Sequence, residues 1–268
     1  MPRDGQSVLL RMNDPFGSAR RKLARAKIHI EDLKGRIKAF DECNPYEMFA
    51  ELNPEVPGEQ LHKIKLARPL PDWISEIAGD AVNNLREALD HTAYAVARQP
   101  RTKCQFPFGN SPGAFENTVN GNCKHIPNEI IALFREFQPY QGGDDLLWAL
   151  NQISRLNKHT FLVECIVGIT RSEHVTINYD PAARFYITVL PVRWDRAKQE
   201  VVIAKSSIST PESYFQFQDR ITLFVAFDQV SVVRHQEASG VLDALAGKVN
   251  GIIAATEVKA RQLGLVCF

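Results

Sequence analysis

Long apolar runs are missing from this 268-residue chain. No stretch approaches the roughly 20 residues that span a bilayer as a helix, and Met1-Pro2-Arg3-Asp4-Gly5 lacks the charged-then-apolar pattern of a secretory signal. A cytoplasmic protein with no membrane partner is expected. Cysteine is scarce and scattered: Cys43, Cys104, Cys123, Cys165 and Cys267 are odd in number and form no Cys-x-x-Cys pair. That argues against a disulfide framework and against structural zinc. Cys123-Lys124-His125 comes nearest to a metal cluster, with too few ligands for a tetrahedral site. Charge of one sign is also missing. A net charge of +1 gives no global field toward nucleic acid, so any such preference must be local. Absent too are a glycine-rich phosphate loop, a Gly-x-Ser-x-Gly elbow and a His-Glu-x-x-His helix. P-loop nucleotide hydrolysis, serine hydrolysis of the elbow type and zinc proteolysis lose their usual signatures.

What is present is strong periodicity. In 17–42, Leu23, Ala26, Ile30, Leu33 and Ile37 alternate spacings of three and four, which puts them on one helical stripe. The opposite face carries Arg20, Arg21, Lys22, Arg25, Lys27, Lys34, Arg36 and Lys38. It reads either as a solvated bundle face or as a basic patch for nucleic acid, without the aromatics of a stacking platform. Residues 46–69 read as two short strands around Asn53-Pro54-Glu55-Val56-Pro57-Gly58. A second helix over 71–98 buries Ile74, Ile77, Ala78, Ala81, Val82, Leu85, Ala88, Leu89, Thr92 and Val96.

Residues 99–127 read as a long loop anchored by Phe106-Pro107-Phe108, followed by a short helix near 127–137. A third long helix occupies 143–165, with Leu146, Leu147, Leu150, Ile153 and Phe161 inward and Trp148 on its polar side. Phe161–Val167 has strand-like composition as well. Strands are expected over 174–179, 184–192, 200–207 and 220–227, and a last helix over 237–263 with Leu242, Leu245, Val249, Ile252 and Thr256 inward. Strands and helices are segregated, so the class is α+β: one domain of about four long bundled helices beside an antiparallel sheet of about six strands.

The chemistry-bearing residues lie on two helices. One reads Asn83-Asn84-Leu85-Arg86-Glu87-Ala88-Leu89-Asp90-His91, the other Asn151-Gln152-Ile153-Ser154-Arg155-Leu156-Asn157-Lys158-His159. Histidine exchanges protons near neutrality and arginine holds phosphate. Arg86, Asp90, His91, Arg155 and His159 are therefore the catalytic candidates, with Asn83, Asn157, Lys158 and Tyr140 as binding candidates. Asp90, His91 and His159 also form an alternative divalent-ion set; no metal or other cofactor is assigned. Geometry divides the candidates. Arg86 and His91, five apart, lie about 140° apart around a helix, while Arg155 and His159 lie within about 40°. Arg86 and Asp90, four apart, suit an intrahelical ion pair.

The segments Asn84–His91, Tyr94–Ala97, Phe106–Phe108, Gln138–Tyr140, Leu147–Leu150 and Asn157–His159 together resemble a group of uncharacterised bacterial proteins. In that group one helix carries Arg-x-x-Leu-Asp-His and a later one Asp-Lys-His. Here the later segment starts with Asn157, an amide in place of the carboxylate. More distantly, Arg86 and His91 resemble the Arg and His pair of the HEPN superfamily of helical bundles, many of them ribonucleases. That resemblance implies metal-independent endoribonuclease activity, RNA as partner and a homodimer. The alternative is a non-enzymatic ligand- or protein-binding module whose Arg, Asp and His residues form a structural interhelix network, with the strand-rich half as recognition surface.

Overall fold

The computed structural model describes residues 14–98, 104–159, 165–171, 186–190, 194–195, 197–207, 221–227, 230–234 and 236–266. The chain is α+β. Its elements run α1 (Gly17–Glu42), β1 (Tyr46–Leu52), β2 (Glu59–Leu66), α2 (Asp72–Ala95), α3 (Pro112–Asn122), α4 (Asn128–Glu136), α5 (Asp145–His159), β3 (Cys165–Arg171), β4 (Ile187–Val189), β5 (Glu200–Ser207), β6 (Ile221–Phe227) and α6 (Ala238–Gln262). They form two compact units. One gathers the described residues of Met1–Lys34, Asp72–Cys165 and Ala226–Phe268, the other those of Gly35–Pro71 and Ile166–Val225. No described helix is long and apolar enough to cross a membrane.

The helical unit forms because its stripes match the helical period. Leu23, Ala26, Ile30 and Leu33 are buried on α1, and Leu242, Leu245, Val249, Ile252 and Thr256 on α6. Helix α2 buries Ile74, Ala78, Ala81, Val82, Leu85, Ala88, Leu89 and Thr92 and packs against α5 and α6. Ile37, Ile77 and Leu146, expected in the core, are only half-buried. Helix α5 opens with Asp144 Oδ1 accepting the Leu147 N–H at 3.0 Å, an N-terminal cap.

Three expectations need correction. The stretch 99–127 is not all loop. Ser111 caps α3 by accepting the Ala114 N–H at 3.2 Å, and Pro112 takes the first turn, where its missing N–H costs nothing. Gly109, just ahead, passes so close to this turn that an added Cβ would lie 2.4 Å from the Phe115 nitrogen. Second, the six strands do not make one sheet. Four form an antiparallel sheet in the order β1-β2-β5-β4, and β3 and β6 pair separately. Third, the composition of Phe161–Val167 resolves in favour of strand from Cys165 onward; Phe161–Glu164 and the expected strand 174–179 lie outside the described residues.

In the sheet unit, β1 and β2 form the expected hairpin, with Leu52 opposite Gln60 and Tyr46 opposite Leu66. The turn between them closes on Gly58, whose φ of +84° favours a residue without Cβ. One sheet face is apolar: Ile64, Leu66, Val201 and Ile203 pack with Phe40, Tyr46, Leu70 and Trp194. Strand β5 is bulged. His62 faces Ala204 while Lys63 faces Val202, leaving Ile203 unopposed. The extra residue reverses the alternation beyond it, so Ile203 stays in the apolar core while Val202 and Lys205 line the same concavity.

Candidate functional site

Helix α2 carries the expected cluster, and its neighbours decide what each side chain does. Arg86 Nη1 pairs with Asp90 one turn on. Its Nε donates to Asn151 Oδ1 of α5 at 3.4 Å, and its guanidinium sits 4.4 Å above the Phe108 ring. Asp90 Oδ1 also accepts the Phe106 N–H at 3.0 Å. Only 12% of the Arg86 side chain and 20% of the Asp90 side chain are exposed. The pair therefore fastens Phe106-Pro107-Phe108 to α2 and α2 to α5.

His91 turns elsewhere. Its Nδ1 shares a hydrogen bond with Ser18 Oγ of α1 at 2.5 Å. The angular separation of Arg86 and His91 on the helix is thus realised as two sets of partners on different elements. Asn83 Oδ1 accepts the Ser154 hydroxyl at 3.3 Å, a second link between α2 and α5. Tyr140 stacks obliquely on Phe115 at 5.7 Å and bridges Gly109 through its backbone. Arg155 is exposed on α5. Asn157, Lys158 and His159 occupy the last turn of that helix, and their side chains lie outside the described residues. Trp148, on the polar side as expected, donates from Nε1 to Asn110 Oδ1 at 3.2 Å.

Part of the basic face of α1 is paired with acidic side chains. Arg20 pairs with Asp14 at 2.7 Å and Glu257 at 2.6 Å, Lys22 with Glu87 at 2.5 Å, and Lys34 with Glu31 at 2.7 Å and Asp243 at 2.9 Å. Arg21, Arg25, Lys27, Arg36 and Lys38 are exposed on the same face, Lys38 at 3.8 Å from Glu42. Cysteine chemistry is suppressed as well. Burial pushes the Cys104 thiol up to about 11, with Asp90 adding to it, and the Cys123 thiol up to about 12, so neither is a thiolate near neutrality. Among the described residues no three His, Cys, Asp or Glu side chains gather as metal ligands.

The sheet unit holds an open concavity of about 640 Å³ that no sequence motif signals. It lies on the face opposite the apolar core and is lined by Glu51, Leu61, Lys63, Leu190, Val202 and Lys205, among others. Its floor is a nearly buried cation: Lys63 is 7% exposed, with Nζ at 2.6 Å from Glu51 and 2.7 Å from Glu200. Burial pulls this ammonium down, and the hydrogen bonds to Glu200 and Glu51 outweigh it, so Lys63 stays charged. Beside it, the Glu59 carboxylate accepts from Asn53 Nδ2, from the Tyr186 hydroxyl at 2.9 Å, and from Lys205 Nζ at 3.2 Å. The Asn53 hydrogen bond, helped by Tyr186 and Lys205, holds Glu59 below the ordinary carboxylate range against the opposing effect of burial. The only trace of this constellation in the sequence is the alternation of lysine and apolar residues in Leu61-His62-Lys63-Ile64-Lys65-Leu66.

His62 bonds from Nε2 to Ser206 Oγ at 2.8 Å. Ser206 is fully buried, so no substrate carbonyl reaches its hydroxyl, and the pair pins β2 to β5. Burial holds the His62 imidazole below its ordinary value of 6.5. A folded-state value below the unfolded one means that the unfolded chain binds more protons. The stabilisation is complete above about 6.5 and is lost as pH falls through the lower folded value. Urea unfolding between pH 7.5 and 5 is expected to show this loss, and His62→Gln to reduce its slope; an unchanged slope in the variant would refute the assignment.

No protein-family model, curated protein or solved structure matches this chain.

Proposed function

We propose that this chain is a non-enzymatic ligand-binding module. In this account Arg86, Asp90 and His91 tie helices together, and recognition belongs to the four-stranded sheet. The observation that carries it is the divergence of the expected pair: Arg86 is held by Asp90, Phe108 and Asn151, while His91 is held by Ser18. A phosphodiester between them would have to displace both sets of partners. Breaking the Arg86–Asp90 pair alone leaves the mostly buried Asp90 carboxylate without its cation and beside the incoming phosphate, which costs several kcal/mol. The sheet concavity, by contrast, has the volume of ordinary small-molecule sites. The described cysteines Cys43, Cys104 and Cys123 are free thiols, which suits a cytosolic setting.

A second assignment, metal-independent RNA cleavage of the HEPN kind, draws on Arg155, exposed on α5 one turn ahead of His159. With a homodimer, a partner's helix would have to supply the remaining acid–base group.

A double-mutant cycle on Ser18 and His91 separates the two. As a structural pair they are expected to couple by about 0.5–1.5 kcal/mol in unfolding free energy. Zero coupling, with His91→Ala as stable as wild type, would release His91 for chemistry and contradict the binding-module account.

A further inference from the structure

We infer that the sheet concavity takes a small zwitterion on the scale of a dipeptide, its ammonium against Glu51 and its carboxylate against Lys205. This rests on the assignment of ligand recognition to the sheet.

The strand register supplies the frame. Glu51 of β1 stands opposite Leu61 of β2, and Leu61 stands opposite Lys205 of β5. An acid, an apolar residue and a base thus lie in one row across three strands, all lining the concavity. Adjacent strands are about 4.8 Å apart, so the two charged residues are rooted about 10 Å apart. Their long side chains can lean inward over Leu61. The termini of an extended dipeptide lie about 7 Å apart, which suits that gap.

The charges at the two ends of the row are the accessible ones. The Glu51 side chain is 46% exposed and that of Lys205 35% exposed. Each is also the replaceable member of its ion pair. If Glu51 turns to a ligand ammonium, Lys63 keeps Glu200. If Lys205 turns to a ligand carboxylate, Glu59 keeps the Asn53 and Tyr186 donors. A ligand with both charges therefore leaves Lys63 its Glu200 ion pair and leaves Glu59 two hydrogen-bond donors, so neither nearly buried ion is stripped of all partners. Leu61, Val202 and Leu190 supply the apolar part of the lining for the stem between the charges.

The sign balance selects the class. Glu51, Glu55, Asp195 and Glu200 face Lys63, Lys198 and Lys205 across the lining, four carboxylates against three ammonium groups. A polyanion such as an RNA backbone meets no net attraction there, and a simple carboxylate engages one end only. The β5 bulge at Ile203 brings Lys205 to this face; regular alternation from Val202 would direct it to the opposite one.

Calorimetric titration of the full chain with Ala-Leu, N-acetyl-Ala-Leu and Ala-Leu amide tests this, since the three share a stem and differ by one charge. Ala-Leu is expected to bind, with each capped form weaker by about tenfold or more. In Lys205→Met the amide should bind as well as Ala-Leu, and in Glu51→Gln the acetyl form should; circular dichroism verifies that both variants fold. Equal binding of the three probes to wild type, or preferences that persist in both variants, would overturn the zwitterion assignment while leaving the sheet as a binding surface. No binding of any probe up to about 10 mM would overturn the inference itself. Neither result bears on the Ser18–His91 cycle, so failure of the ligand class and failure of the functional assignment remain distinct.

Discussion

Asp90→Ala is expected to lower the unfolding free energy by about 3–5 kcal/mol, the range for removing one partner of a largely buried ion pair. Two losses add. Arg86, 12% exposed, keeps only the Phe108 ring and the 3.4 Å bond to Asn151, and the Phe106 N–H loses its acceptor. A cation over an aromatic ring contributes about 0.5–2 kcal/mol, which cannot replace a carboxylate. Asp90→Asn separates the two losses, because its amide oxygen can still accept from Phe106 while the ionic attraction disappears. It should fall between wild type and Asp90→Ala in urea unfolding. A change below about 0.5 kcal/mol for Asp90→Ala, the size of an exposed i,i+4 pair, would mean that the pair is a surface feature and does not bind the loop.

Phe106→Ala is expected to cost a similar amount, about 3–5 kcal/mol, from the aromatic cluster rather than from charge. Phe106 is 1% exposed, with its ring 4.8 Å from Phe134 of α4 and 5.2 Å from Phe108. Truncation opens a cavity and loosens Phe108, the ring beneath Arg86. The effects of Phe106→Ala and Asp90→Ala should therefore be less than additive, since the loop that Asp90 fastens is the one Phe106 anchors. Strict additivity in denaturant titrations would show that the ion pair and the aromatic cluster stabilise the molecule separately.

Part of this fold is legible in the amino-acid sequence. The stripes of α1 and α6 follow from spacings of three and four, because a helix with one buried face imposes that period whatever its neighbours. The Asn53–Gly58 turn follows from its proline and glycine content. Helix α3 is not legible in the same way. It buries only Phe115 and Val119, too short a stripe for periodicity to register, and Ser111-Pro112-Gly113 serves equally as loop punctuation or as a helix start. The pairing of β2 with β5 joins residues more than a hundred positions apart, and nothing in either strand names its partner.

The candidate site divides along the same line. Arg86 with Asp90, and the divergence of Arg86 from His91, follow from helix geometry alone. The Phe108 ring, Asn151 and Ser18 that engage those groups come from other elements. At the sheet concavity, the bulge at Ile203 turns Lys205 to a face that regular alternation denies it, so a period of two read along β5 misplaces the residue.

The measurement closest to the central claim is incubation of the purified protein with mixed RNA in the absence of metal, beside His91→Ala and His159→Ala. A binding module leaves the RNA intact in all three samples. Cleavage by wild type, abolished in either variant while circular dichroism shows it folded, would contradict the account and make that histidine part of a ribonuclease.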